Sequence, residues 1–214
     1  MRITLIDRVG DLATEWRKLV PEGVEVIAFS DVREVPLEPG TAFVSPANSL
    51  GFMDGGIDYV YMLMFPGIET AVKGAIAKRG QLSGLGRPWL PIGEALVVPV
   101  PNGTPRGGVS LVCAPTMLMP MDVNGTSNAY NATHAAIVAA LAAGVRRLVI
   151  PGMCTGCGAV PAAVAASQMA AAIAEALGGK PRRMTLAEIL AEQPNVYAKT
   201  EFATVDPAEI HHTL

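Results

Sequence analysis

The feature that most constrains this chain is a repeated alternation of short runs rich in Val and Ile with stretches of helical spacing. Ile3 to Ile6, Val24 to Phe29, Thr41 to Val44, Ala95 to Val100, Leu111 to Ala114 and Arg147 to Ile150 have strand length and composition. Between them, Asp11 to Val20 carries Leu12, Trp16 and Leu19 at helical spacing. Ile57 to Phe65 and Ile68 to Lys78 read as two short helices divided by Pro66 and Gly67. Asn128 to Ala143 and Pro161 to Leu177 are Ala-rich helices, the second opened by a proline, whose missing N–H costs nothing in a first turn. Strands separated by helices pair through crossovers that lay the helices on the sheet faces. The predicted fold is therefore α/β, a three-layer α/β/α domain around a central, largely parallel or mixed sheet.

Length and charge narrow the function classes. At 214 residues the chain suffices for one domain with an appendage. The texture changes after Gly178 and Gly179, so residues 1–180 are expected to form the domain and 181–214 an appendage with one short helical pattern, Thr185 to Ala191. Half the residues are hydrophobic, only 16% are charged, and the net charge is -3, so clustered cations for nucleic-acid phosphates are not in evidence. The longest weakly polar run, Ala135 to Val145, is far below the ~20 residues of a membrane helix. Neither a signal-peptide pattern at Met1 to Val9 nor an even number of cysteines is present, and a cytoplasmic, reducing location is the expectation.

Two glycine-rich segments are placed to carry chemistry. Each follows a strand and precedes a helix, where main-chain amides collect anions at the carboxyl end of a sheet. The first runs Ser45-Pro46-Ala47-Asn48-Ser49-Leu50-Gly51-Phe52-Met53-Asp54-Gly55-Gly56-Ile57-Asp58. The second runs Pro151-Gly152-Met153-Cys154-Thr155-Gly156-Cys157-Gly158-Ala159-Val160-Pro161. Gly55, Gly56, Gly156 and Gly158 allow backbone N–H groups to approach an oxygen unobstructed, which suits a diphosphate. Neither segment has the lysine of a nucleotide hydrolase loop or the Gly-x-Gly-x-x-Gly spacing of a dinucleotide fold, which favours holding a diphosphate over transferring one.

These segments resemble the macro domain family, which binds ADP-ribose. Ser45-Pro46-Ala47-Asn48 with Gly55-Gly56-Ile57-Asp58 is similar to its Asn-Ala-Ala-Asn and Gly-Gly-Val-Asp loop, closest to the MacroD-type pattern. Cys154-Thr155-Gly156-Cys157-Gly158-Ala159-Val160-Pro161 is similar to its Ser-Thr-Gly-Val-Tyr-Gly-Phe-Pro loop, and Ser30-Asp31-Val32 to its Gly-Asp-Ile. The resemblance spans roughly Val24 to Leu177. It implies that Asp31 reads adenine and Val32 adds a backbone contact. Gly55, Gly56, Ile57, Gly152, Cys154, Thr155, Gly156, Cys157 and Gly158 would hold the diphosphate, with Asn48 on the distal ribose and Asp58 beside its anomeric carbon. Asn48 and Asp58 would then be the catalytic pair of an ADP-ribosyl ester hydrolase acting on an ADP-ribosylated substrate or on O-acetyl-ADP-ribose. The alternative is a reader module that binds ADP-ribose and cleaves nothing. The departures are Gly158 in place of an aromatic residue, Ser45 in place of the first Asn, and Tyr59 where the hydrolases have Gly; Phe52 is the candidate to replace the missing aromatic wall.

Simpler roles stand beside these. Asp31 suits a turn or cap, Asp58 a helix start favoured by the dipole, and Asn48 a loop contact. Cys154 and Cys157 form a Cys-x-x-Cys that Cys113 could join, so a thiol or metal-binding protein is the further alternative. The expectation is nonetheless no metal and no cofactor. Met117, Met119 and Met121 are read as packing residues, and His134 as structural.

Overall fold

The computed structural model describes residues 1–101 and 108–178. The appendage expected at 181–214, with its helical pattern, and most of the loop expected at Pro101 to Gly108 lie outside the described residues.

The expected alternation is realised in chain order. It gives β1 (Arg2–Asp7), α1 (Asp11–Leu19), β2 (Glu25–Ala28), β3 (Thr41–Ser45), α2 (Gly56–Met64), α3 (Ile68–Lys78), β4 (Leu96–Pro99), β5 (Ser110–Cys113), α4 (Asn128–Ala142), β6 (Arg147–Ile150) and α5 (Ala162–Gly178). One element went unanticipated, a single 3-10 turn at Val32–Glu34 that Asp31 caps. The strands form one sheet in the order β2-β1-β6-β3-β5-β4. All neighbours are parallel except β4 and β5, so the sheet is mixed as expected. The antiparallel strand occupies an edge, where Pro99 can lack an N–H without breaking an interior ladder.

Strand side chains alternate between two buried layers. Ala42, Val44, Val112, Leu148 and Ile150 join Leu12, Trp16, Ile137 and Met169 from α1, α4 and α5 in one core. Phe43, Leu111, Cys113 and Val149 join Tyr61 of α2, Phe65 just after it, and Ile68, Val72 and Ile76 of α3 in the other. β3 lies between β6 and β5 with helices on both faces of the sheet, and it is buried at every position, its polar Thr41 and Ser45 included. Small residues on α4 and α5, such as Ala132, Ala136, Ala140, Ala165 and Ala166, bring both helices close to the sheet.

This packing leaves the carboxyl ends of β1, β2, β3, β5 and β6 at one rim. The segment after β3 is fixed there by continuing its pairing beyond the strand. Ala114 N–H donates to the Ser45 carbonyl, Thr116 N–H to that of Ala47 and Ser49 N–H to that of Met117. No described helix is long and apolar enough to cross a membrane.

Candidate functional site

A cleft of about 660 Å³ opens at this rim, within the ordinary range for a small-molecule site. Its walls come from the segments after β1, β2, β3, β5 and β6. Every candidate site residue reaches it: Asp31 and Val32 from one side, Asn48, Gly55, Gly56, Ile57 and Asp58 from the first glycine segment, and Gly152, Cys154, Thr155, Gly156, Cys157 and Gly158 from the second. Segments more than a hundred residues apart in sequence thus share one lining because β6 lies between β1 and β3.

The glycines divide by what surrounds them. A Cβ at Gly55, Gly56 or Gly156 would meet nothing within 4 Å, so these backbones face open space. Gly56 also holds φ +57°, which a side chain would strain. Helix α2 starts at this point with Gly55 as its N-cap and no capping side chain, so its first amides lack a side-chain acceptor. Gly158 is different. Val160 N–H bonds back to the Cys154 carbonyl, folding the second segment so that a Cβ at 158 would lie 2.5 Å from that carbonyl oxygen. The aromatic residue expected of the family has no room here, and the substitution follows from the loop's own geometry. Phe52 does line the cleft, with Lys73 Nζ 4.1 Å from its ring centre.

Asp58 is the third residue of α2 and is only 8% exposed. Its Oδ1 accepts a 2.5 Å hydrogen bond from Ser45 Oγ, at the end of β3. Burial raises its pKa from 3.8 to about 7, against the lowering effect of the Ser45 hydrogen bond. Near neutrality this carboxyl is therefore divided between its neutral and ionised forms. Burial, with the Asp58 charge second, also raises the Tyr61 hydroxyl and the Cys113 thiol far above their usual ranges. Cys113 is paired in register with Ser45.

Asn48 and Asp31 have work of their own. The Asn48 amide oxygen accepts from the N–H groups of Leu50 and Phe52, and its nitrogen donates to the Phe52 carbonyl at 2.9 Å. It closes the first segment on itself. Asp31 Oδ1 accepts from Arg33 N–H and Nε, and Oδ2 from Arg33 Nη2 at 2.8 Å. These side-chain and backbone bonds from Arg33 hold the Asp31 carboxyl at about 2.

No disulfide joins the thiols. Cys113 and Cys154 are buried, Cys157 is exposed, and all three are free. Burial pushes the Cys154 thiol up to about 12, outweighing a hydrogen bond to Thr116, so it is no thiolate at neutral pH. Among the described residues no group of three or more His, Cys, Asp and Glu side chains gathers to hold a metal ion. Cys154 also adopts φ +65°, and Ala159 φ +54°, so backbone strain concentrates in the second segment.

Asp7 and Arg8 are among the lining residues that sequence reasoning missed. Asp7 Oδ2 accepts from the N–H groups of Gly10 and Ala13, and Oδ1 from Val9, which anchors the turn into α1. Their position at the end of the first strand was the available signal. Of the three methionines read as packing, Met117 is buried and lines the cleft, whereas Met119 and Met121 stand about half exposed around the lining Pro120. His134 lies on α4 with its ring stacked on Tyr130 and 3.9 Å from Glu175, away from the cleft lining.

A six-stranded mixed sheet between helical layers, with two glycine segments framing a cleft at its carboxyl rim, is the macrodomain fold. Solved structures agree. The chain is similar to the macrodomain of Mycobacterium tuberculosis DarG, at TM-score 0.53 and 19% identity over 68% of this chain and 87% of that one. It is likewise similar to the macrodomain of Thermus aquaticus DarG, at TM-score 0.50 and 22% identity over 71% of this chain and 88% of that one. By sequence, no family model and no curated protein matches.

Proposed function

We propose that the cleft binds ADP-ribose or a close derivative. The adenosine lies toward Asp31 and Val32, and the diphosphate rests on the backbone of Gly55 to Ile57 and of Cys154 to Gly158. The distal ribose reaches Asn48 and Asp58. The observation that carries this reading is the uncapped start of α2, whose glycines line the cleft together with a second glycine segment. A helix N-terminus with free amides is an anion site, and two such backbones suit a paired phosphate. Titration calorimetry with ADP-ribose, AMP and NAD tests it, and no affinity for any of the three rejects it.

The same cleft supports hydrolysis of an ADP-ribosyl ester in the manner of the MacroD-type enzymes. Asp58, ionised above about pH 7, takes the proton of a water attacking the anomeric carbon. The bond from that carbon to the ester oxygen breaks, and the carboxylate leaves. Asn48 orders the segment that presents the ribose. The reader reading is favoured by the buried Ser45–Asp58 bond and by the internal use of the Asn48 amide. Incubating mono-ADP-ribosylated protein with wild type and with Asp58→Ala separates the two: release by wild type alone supports the enzyme, and binding without release the reader. A cytoplasmic setting belongs to this proposal, supported by three unpaired cysteines. The division into a domain at 1–180 and an appendage at 181–214 also stands as a proposal.

A further inference from the structure

Among the described residues, the cleft lining contains a single Lys or Arg, Arg8. It is exposed and, among the described residues, has no hydrogen-bond or ion-pair partner. The nearby acids that could neutralise it are committed elsewhere. Asp7 is spent on three backbone N–H groups, and Asp31 is held by Arg33 from two sides. Because Asp7 grips the residues on both sides of the turn, the backbone at position 8 is fixed while its side chain stays free.

The neighbours define what Arg8 can meet. Ile6, Val9, Leu12 and Val32 line the same end of the cleft and offer apolar surface, with Val9 67% exposed. Arg8 lies near enough to Asp31 for their charges to interact. One strand, β6, separates that end from the uncapped start of α2. A guanidinium there has apolar side chains and the Asp31 carboxylate for neighbours, which favours the face of a heteroaromatic ring over an anion. Guanidinium planes stack on bases and keep their edges hydrated.

We infer that Arg8 is a ligand-binding residue that stacks its guanidinium on the nucleobase, so that the base is held by face rather than through the Asp31 carboxylate alone. This rests on the reading of the cleft as an ADP-ribose site.

Calorimetry of the full chain with ADP-ribose, comparing wild type with Arg8→Ala, Arg8→Phe and Arg8→Lys, tests it. Arg8 has no partner to lose, so the ligand-free variants should melt with the wild type. Stacking predicts that Arg8→Ala weakens binding roughly tenfold, that Arg8→Phe restores most of the loss, and that Arg8→Lys does not. Undiminished affinity in Arg8→Ala overturns the inference. So does rescue by Lys with none by Phe, which is the mark of a phosphate contact. A wild type with no affinity for ADP-ribose rejects the reading of the cleft itself, and the Arg8 role falls with it.

Discussion

Asp58 shows how one buried side chain ties stability to chemistry. Its folded pKa, about 7, lies above the 3.8 of the unfolded chain, so the folded state holds the proton more tightly between those values. Its contribution is most favourable below about pH 4 and is lost as pH rises through about 7. At about 1.4 kcal/mol per pKa unit, the carboxyl costs on the order of 4 kcal/mol above neutrality. Asp58→Asn should therefore flatten the fall in stability between pH 4 and pH 8, read as urea midpoints, while removing any release of ADP-ribose. An unchanged midpoint profile would mean that the carboxyl is hydrated in solution. The two kinds of glycine make a second residue-scale prediction. Gly158→Ala forces a methyl against the Cys154 carbonyl and should cost about 1–3 kcal/mol. Gly55→Ala meets open space at an extended φ, so it should leave the melt within about 1 kcal/mol yet weaken ADP-ribose binding by placing a methyl in the cleft.

At the scale of elements, the strands were legible because burial on both faces demands continuous Val and Ile, and the helices because their apolar positions recur at helical spacing. Thr41–Ser45 and Arg147–Ile150 begin where their compositions indicate. The 3-10 turn at Val32–Glu34 was not legible, because it depends on Asp31 capping through a side-chain bond that composition does not reveal. The start of α1 is likewise set by Asp7, three residues before its Gly10 N-cap, which has no side chain to cap with. Asp7→Ala leaves buried amides of Gly10 and Ala13 without acceptors and should destabilise the chain by about 2 kcal/mol. Because the same carboxylate fixes the turn that carries Arg8, this variant should also weaken ADP-ribose binding, whereas a loss of stability with unchanged affinity would separate the turn from the site.

For the whole molecule, the cleft exists because five strand ends share one rim. A ligand that binds only the folded state stabilises it by mass action, by about 2.7 kcal/mol at a hundred times its Kd. ADP-ribose at that excess should raise the melting temperature by about 5–10 °C, and AMP at the same molar concentration by less. Equal shifts would place no binding energy on the distal phosphate and ribose.

Both glycine segments and the layered architecture were readable from the chain alone, because local backbone requirements and apolar periodicity are written in residue identity; Asn48 and Asp58 were singled out only through the resemblance of their segment to the macro domain loop. Tertiary structure alone decided what those groups are free to do. Ser45 meets Asp58 because β3 ends beneath α2, Arg33 occupies Asp31 because a turn folds back, and Arg8 is left unpaired because Asp7 spends itself on the backbone. Proton affinity and hydrogen-bond commitment depend on burial and on how the backbone folds, whether the partner is two residues away, as Arg33 is from Asp31, or on another element, as Ser45 is from Asp58, and residue identity alone encodes neither.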